Sequence, residues 1–154
     1  MENGIIRWEA PGLAEAQQKD CVLVDVDGTL AEMQGRSPFE WHRVGEDEVR
    51  PAVADLLRIL KTAGVLVLIV TGRDGVCHAE TRAWLDANGI PYDAIYQRPV
   101  NNNQKDSHIK EQIYNTYIKG RWNVKFVLDD RNQVVDMWRN KLGLDVFQVA
   151  EGDF

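Results

Sequence analysis

Cysteine and histidine are scarce in this chain, positive charge is outnumbered, and no apolar run is long. Cys21 and Cys77 stand alone and neither belongs to a CxxC, which excludes a cysteine zinc site and suits a reducing compartment. The longest apolar run, Val65 to Val70, falls far short of the roughly 20 residues a spanning helix needs, so no membrane segment is expected. The opening "MENGIIRWEAPG" lacks the basic-then-apolar order of a secretory signal, and a cytoplasmic protein is expected. With 18 Lys and Arg against 24 Asp and Glu, a net charge of -6 argues against a broad non-specific nucleic-acid groove. It leaves open a grip on one strand end.

What is present is an alternation of strand-like and helix-like segments over 154 residues, enough for about one domain. Cys21 to Val26 is a mainly β-branched run, and Val65 to Val70 is apolar on both faces, as in a parallel sheet covered by helices. A helix is predicted from Pro51, with Leu56, Leu57 and Leu60 inward and Gly64 as its stop. A second spans Val76 to Asn88, with Ala79, Ala83, Trp84 and Ala87 on one stripe. Asp106 to Tyr117 and Asn132 to Leu142 read as two more helices, and Ala94 to Tyr96, Lys125 to Leu128 and Asp145 to Val149 as three more strands. The pattern implies an α/β fold, an open and mainly parallel sheet of Rossmann type with helices on both faces. Residues 1–20 read as an N-terminal extension, 21–154 as the domain, and about 33–47 as a small flap after the first strand.

In such sheets ligands sit beyond the carboxyl ends of the strands. The residues expected there are Asp25 and Asp27, then Thr71, Gly72 and Arg73, then Arg98, then Asp129 and Asp130, with Lys105 and Lys110 flanking the third helix. Taken singly, Asp25 and Asp27 suit a turn before Gly28, and Asp129 and Asp130 suit helix caps. Gathered at one rim, they make a site for Mg2+ and a phosphate, because a hard cation relieves the repulsion among the acids. A carboxylate at Asp25 can displace an alcohol from a phosphate monoester. Asp27, two positions on, faces the same way and can serve as acid and then base. Thr71 and a lysine would steady the phosphoryl oxygens.

In order, "DVDGT", "TGR", a lysine and "DD" resemble the motifs of haloacid dehalogenase (HAD) superfamily phosphatases. "DVDGTLAEMQGR", "QR", "KDSHIKEQI", "DDRNQVVDMWR" and "QVAEGDF" are similar, more narrowly, to the 3′-phosphatase domain of the T-even phage polynucleotide kinase-phosphatase, over about Val22 to Phe154. The resemblance implies Asp25 as nucleophile and metal ligand, and Asp27 as acid-base with its carbonyl on the metal. It implies Asp130 as the acidic ligand, Asp129 beside it, and Lys110 as the phosphate-neutralising lysine. It places Arg36, Arg73 and Arg98 around the substrate, with Asp106 as a further active-site acid. The implied partners are 3′-phosphorylated DNA or RNA ends, with 2′,3′-cyclic ends as an extension, in a phage-infected or bacterial cytoplasm.

Two departures accompany it. Only "DGVCHAET" separates the second motif from its helix, where the family carries a longer insertion, and no GxxxxGK[ST] loop occurs, so no 5′-kinase activity is expected from this chain. A separate kinase or ligase partner is compatible with this. Arg36, Arg98 and Arg131 also suit surface ion pairs, Lys105 reads as a surface residue, and Trp41 with Phe39 in the flap could stack on a nucleobase. The alternatives that stay open are a HAD phosphatase for mononucleotides or other small phosphate esters, and a phosphate-switched receiver module.

Overall fold

The computed structural model describes residues 4–33 and 35–154, so the first three residues of the expected extension and Gln34 of the flap lie outside the described residues. Strands β1 (Ile6–Glu9), β2 (Asp20–Val24), β5 (Leu66–Asp74), β6 (Ala94–Arg98), β7 (Asn123–Asp129) and β8 (Val146–Gln148) form one sheet in the order β1-β6-β5-β2-β7-β8. All neighbours are parallel except β1, which pairs antiparallel with β6 at the edge. The open, mainly parallel α/β fold expected from the sequence is therefore the fold observed.

Strand side chains alternate between two cores, as the period of two requires. Cys21, Leu23, Leu68 and Val127 face one core with Ile109, Ile113 and Trp138, brought by α3 (Asp106–Ile113) and the helical turns that follow α4 (Asn132–Asp136). Val22, Val24, Val67 and Ile69 face the other with Leu57 and Trp84, brought by α1 (Pro51–Thr62) and α2 (His78–Ala87). Helices thus cover both faces, and the first layer starts where predicted, at Pro51 in a first-turn position.

The structure departs from the expectations in three places. Residues 6–9 of the expected extension are β1, part of the sheet, tied down where Arg121 and the Tyr96 hydroxyl both donate to Glu9. Along α2 the alanines at 79, 83 and 87 are exposed, and the inward face is Thr81, Trp84 and Leu85. Alanine offers little area to bury, so the large side chains set the rotation of the helix. β5 continues through Thr71, Gly72 and Arg73 to Asp74, with a register break against β6, where the sequence suggested that the strand ends at Val70. That bulge re-aims the second motif toward the rim.

The flap leaves and re-enters the domain through a short antiparallel ribbon, β3 (Ala31–Glu32) with β4 (Glu48–Val49), and its return limb is a 3-10 turn over Trp41–Glu46. Among the described residues no helix is long and apolar enough to cross a membrane.

Candidate active site

β2 stops at Val24, and the chain folds back on itself at once. The Val26 carbonyl accepts from the amides of Thr29, Leu30 and Ala31, which forces Gly28 to a φ of 81° and turns Asp25 and Asp27 to the rim. Gly28 has a second reason to lack a side chain. A Cβ there would stand 2.1 Å from Asp130 Oδ2, so the first and last acidic motifs touch through this glycine. Thr29 Oγ1, fully buried, donates to Asp25 Oδ2 at 3.0 Å and fixes the Asp25 carboxylate from below.

Asp25 then faces Lys110, which α3 delivers from its buried side. Lys110 Nζ is 2.9 Å from Asp25 Oδ1, 3.0 Å from Asp129 Oδ2 and 3.5 Å from Asp106 Oδ2. Burial alone would strip the Lys110 charge, but the carboxylates of Asp106, Asp129 and Asp25 outweigh it and hold the ammonium above the ordinary lysine range. Asp129 is committed on both oxygens: Oδ2 also accepts from Trp138 Nε1 at 3.2 Å, and Oδ1 from the amide of Asp130 at 2.9 Å. It sets Lys110 and ties down the turn that precedes α4.

Asp25, Asp129 and Asp130 each bring a carboxylate oxygen within 4.8 Å of the others. Burial raises the Asp25 carboxyl well above its usual range, against the pull of Lys110, and the neighbouring acids add to the rise. Burial raises Asp130 in the same way, and Asp129 adds to it. One lysine among this many acids leaves negative charge uncompensated. An all-oxygen donor set with excess negative charge fits a hard divalent cation and would be relieved by one.

Asp27 lives in different surroundings. Its carboxylate remains about one-third exposed and is gripped by Arg73, whose Nη2 reaches Oδ1 at 2.8 Å and whose Nε lies 3.1 Å from both oxygens. Arg73 is itself pinned by Thr81 Oγ1 at 3.0 Å and by Asp47 Oδ2 at 2.8 Å. Arg36, from the flap, closes the network, pairing with Asp47 at 2.8 and 2.9 Å and approaching Asp27 Oδ1 at 3.5 Å. Arg36, Arg73 and Asp47 are fully buried in their side chains. Arg36 therefore lies behind the cleft as a brace. Asp47 ties the end of the flap to β5, and its carbonyl accepts from Trp84 Nε1 at 2.8 Å.

The remaining predicted residues gather on the same wall. Thr71 is buried and its hydroxyl accepts from the Arg73 amide at 3.2 Å. Gly72 allows Asp106 to come in close, since a Cβ there would meet Asp106 Oδ1 at 1.8 Å. Arg98 spends its donors on the main chain, 2.6 Å to the Gly72 carbonyl and 3.0 Å to that of Asn102, and lies 3.6 Å from Asp106. It shapes the loop before α3. Lys105 is exposed at the start of that helix.

Asp25, Asp27, Thr71, Gly72, Arg73, Arg98, Asp106 and Asp130 line a single cleft of about 540 Å³, roofed by flap residues including Phe39 and Trp41. Lys110, Asp129 and Arg36 support it from beneath. Sequence reasoning missed Asp47, Thr29 and Gly152. Asp47 carries no motif. Thr29 is part of "DVDGT", and Gly152 of "QVAEGDF"; the main chain of Gly152 passes so near the Asp130 carbonyl that a Cβ would stand 2.0 Å from it.

Comparison with known proteins is consistent along nearly the whole length. The family model for the phosphatase domain of polynucleotide kinase PNKP matches residues 19–154. A protein of Autographa californica nuclear polyhedrosis virus assigned the name bifunctional polynucleotide kinase/RNA ligase is 34% identical over 132 residues, covering 84% of this chain and 19% of that protein. A solved structure of a Pnkp1/Rnl/Hen1 complex superposes with a TM-score of 0.87 at 39% identity, over 89% of this chain and 48% of that one. A structure described as the Pnkp1/Rnl/Hen1 RNA repair complex gives 0.87 at 35% identity, over 100% and 48%. The class C acid phosphatase of Bacillus anthracis with tungstate bound shares the fold, with a TM-score of 0.61 at 16% identity over 88% of this chain and 67% of that one. The chain thus spans 19% of the viral relative and 48% of each Pnkp1-complex chain.

Proposed function

This chain belongs to the family of PNKP phosphatase domains, phosphomonoester hydrolases of the HAD superfamily, and on that premise we propose that it removes 3′-phosphates from nucleic-acid ends through an aspartyl-phosphate on Asp25. The observation that carries the reading is the contrast between two acids of one motif. Asp25 is buried against a lysine, and Asp27 is solvent-facing and held by arginines. Two carboxylates in such different environments suit two different roles.

Asp25 Oδ attacks phosphorus, and the bond from phosphorus to the 3′ oxygen breaks. Asp27 gives its proton to the departing alkoxide, leaving a 3′-hydroxyl. Water then attacks the acyl phosphate, loses a proton to Asp27, and releases inorganic phosphate with the Asp25 carboxylate restored. Arg73 and Arg36 keep Asp27 oriented through both proton transfers. Thr71 and Lys110 favour the charge that builds on the phosphoryl oxygens. Asp25 and Asp130, with the main-chain carbonyl of Asp27 and with Asp129 alongside, would hold Mg2+, which when bound neutralises phosphoryl charge and relieves the repulsion among the acids. A 3′-hydroxyl is what a ligase consumes, so kinase and ligase activities on other domains or polypeptides fit the names that the relatives carry.

The test is phosphate release from a 3′-phosphorylated oligonucleotide beside its 5′-phosphorylated twin, with magnesium and with a chelator. Metal-dependent release from the 3′ end alone is expected. Release from both ends, or cleavage of small phosphate esters with both oligonucleotides left intact, would move the protein to the small-molecule branch of the superfamily.

A further inference from the structure

The cleft has a polar floor and an apolar mouth. Among the described residues seven large apolar side chains are exposed, and three of them, Met33, Phe39 and Phe154, line this one cleft. Exposed apolar groups gathered at one site are costly to leave wet and mark a surface that something covers. On the flap side, Phe39 is 81% exposed and stands with Pro38 and Trp41. On the other side, Arg131 lies over the Phe154 ring, its guanidinium carbon 5.0 Å from the ring centroid. Arg131 Nε donates to the Phe154 main-chain oxygen at 2.9 Å, and Nη1 is 3.8 Å from Asp106 Oδ2, so this planar pair is fixed in place. The segment that bears Phe154 is anchored beside Asp130 by the close passage of Gly152 and by the Asn132 amide, which donates to the Gly152 carbonyl at 2.8 Å.

We propose that these two sides are the jaws of a clamp for the nucleobase of the end nucleotide, Phe39 and Trp41 on one side and the Arg131–Phe154 pair on the other. The inference rests on the 3′-phosphatase reading and names what the same site holds beyond the phosphate. An occupant whose phosphate reaches Asp25 and whose other end meets aromatic faces is matched best by a flat ring, which nucleotides carry. Base-on-aromatic stacking tolerates any base, because each has a π face. Of the three arginines that line the cleft, Arg73 is spent on Asp27 and Asp47 and Arg98 on main-chain carbonyls, and in a chain of net charge -6 this suits recognition of one nucleotide rather than a long backbone.

The experiment compares two 3′-phosphorylated oligonucleotides, one ending in an intact nucleotide and one ending in an abasic residue, in steady-state kinetics with magnesium. For the wild type, KM for the abasic substrate is expected to be higher by roughly tenfold, from the usual worth of one base–aromatic stack. In Phe39→Ala and in Phe154→Ala the ratio between the two substrates should fall toward one, and Phe39→Tyr should restore it. Phe39 projects into solvent, so its truncation removes no core contact, and an unchanged thermal melt will verify the fold. Equal kinetics on the two substrates for the wild type, or a ratio that both alanine variants leave intact, would overturn the clamp alone. Failure to release phosphate from either substrate would overturn the activity reading and the clamp with it.

Discussion

Lys110 Nζ lies 2.9 Å from Asp25 Oδ1, and both groups are buried. Among the described residues the ammonium is the only basic side chain that pairs with Asp25, and it arrives on a helix from the opposite layer of the sheet from α1. Replacing Lys110 by Met should abolish turnover and also destabilise the fold by about 3 kcal/mol, the usual result of removing one partner from a buried ion pair. Denaturant melts with and without magnesium check this, and the metal should return part of the loss. A variant with wild-type stability and activity would show that the lysine is incidental.

Asp25 and Asp27 should fail differently. Asp25→Asn removes the nucleophile and should leave no measurable turnover. Asp27→Asn keeps the nucleophile and should slow both steps by roughly 100-fold or more, a typical acid-base contribution. Single-turnover kinetics of both variants will separate them, and equal mild losses would contradict the assignment.

Gly72 and Gly28 are sites where one methyl group suffices. Gly72→Ala places a Cβ 1.8 Å from Asp106 Oδ1 and must push that acid away from Lys110. The expected outcome is a loss of turnover larger than the loss of stability, since Asp106 belongs to the cleft and not to the core. Gly28→Ala adds backbone strain at positive φ to a clash with Asp130 and should damage both. Paired assays and thermal melts decide between these patterns.

Much of this architecture is legible in the sequence, because parallel strands covered on both faces announce themselves as short apolar runs and the acids follow directly at their ends. Val22 to Val24 and Val67 to Val70 illustrate this. What escaped reading depends on tertiary partners. The edge strand Ile6–Glu9 has little periodic signal, and it becomes a strand through pairing with β6 and through the bonds made by Glu9. Asp47 is one acid in a flap rich in charge, and nothing local distinguishes it. Only the fold shows that its two oxygens join Arg36 to Arg73. Likewise the stripe expected on α2 placed Trp84 inward, as observed, but its alanines lie outside, because Trp84 and Leu85 outweigh them in buried area.

His78 gives the fold a sensitivity to mild acid. Partial burial lowers its pKa below 6.5, against the hydrogen bond to Gln97, and Arg82 lowers it further. The unfolded chain therefore binds this proton more readily than the native one. Stability from this residue is complete above its ordinary pKa and declines as pH falls toward the lowered native value. Urea melts between about pH 7.5 and 5.5 should show that decline, and His78→Asn should flatten it. A wild-type profile that is flat across this window would contradict the effect.

Divalent metal should stabilise the native chain by mass action. At ten times its Kd a bound ion contributes about 1.4 kcal/mol. Thermal melts with magnesium and with a chelator should differ in that direction, and Asp130→Asn, which removes one of the three clustered carboxylates, should shrink the difference.

The measurement that tests the central claim most directly is capture of the intermediate. Turnover of a 3′-phosphorylated oligonucleotide is quenched in the presence of borohydride, which reduces an acyl phosphate to an alcohol, and the peptides are sequenced by mass spectrometry. The account predicts homoserine at position 25, dependent on substrate and absent in Asp25→Asn. Continued turnover with aspartate intact at that position, or reduction at a different acid, would contradict it.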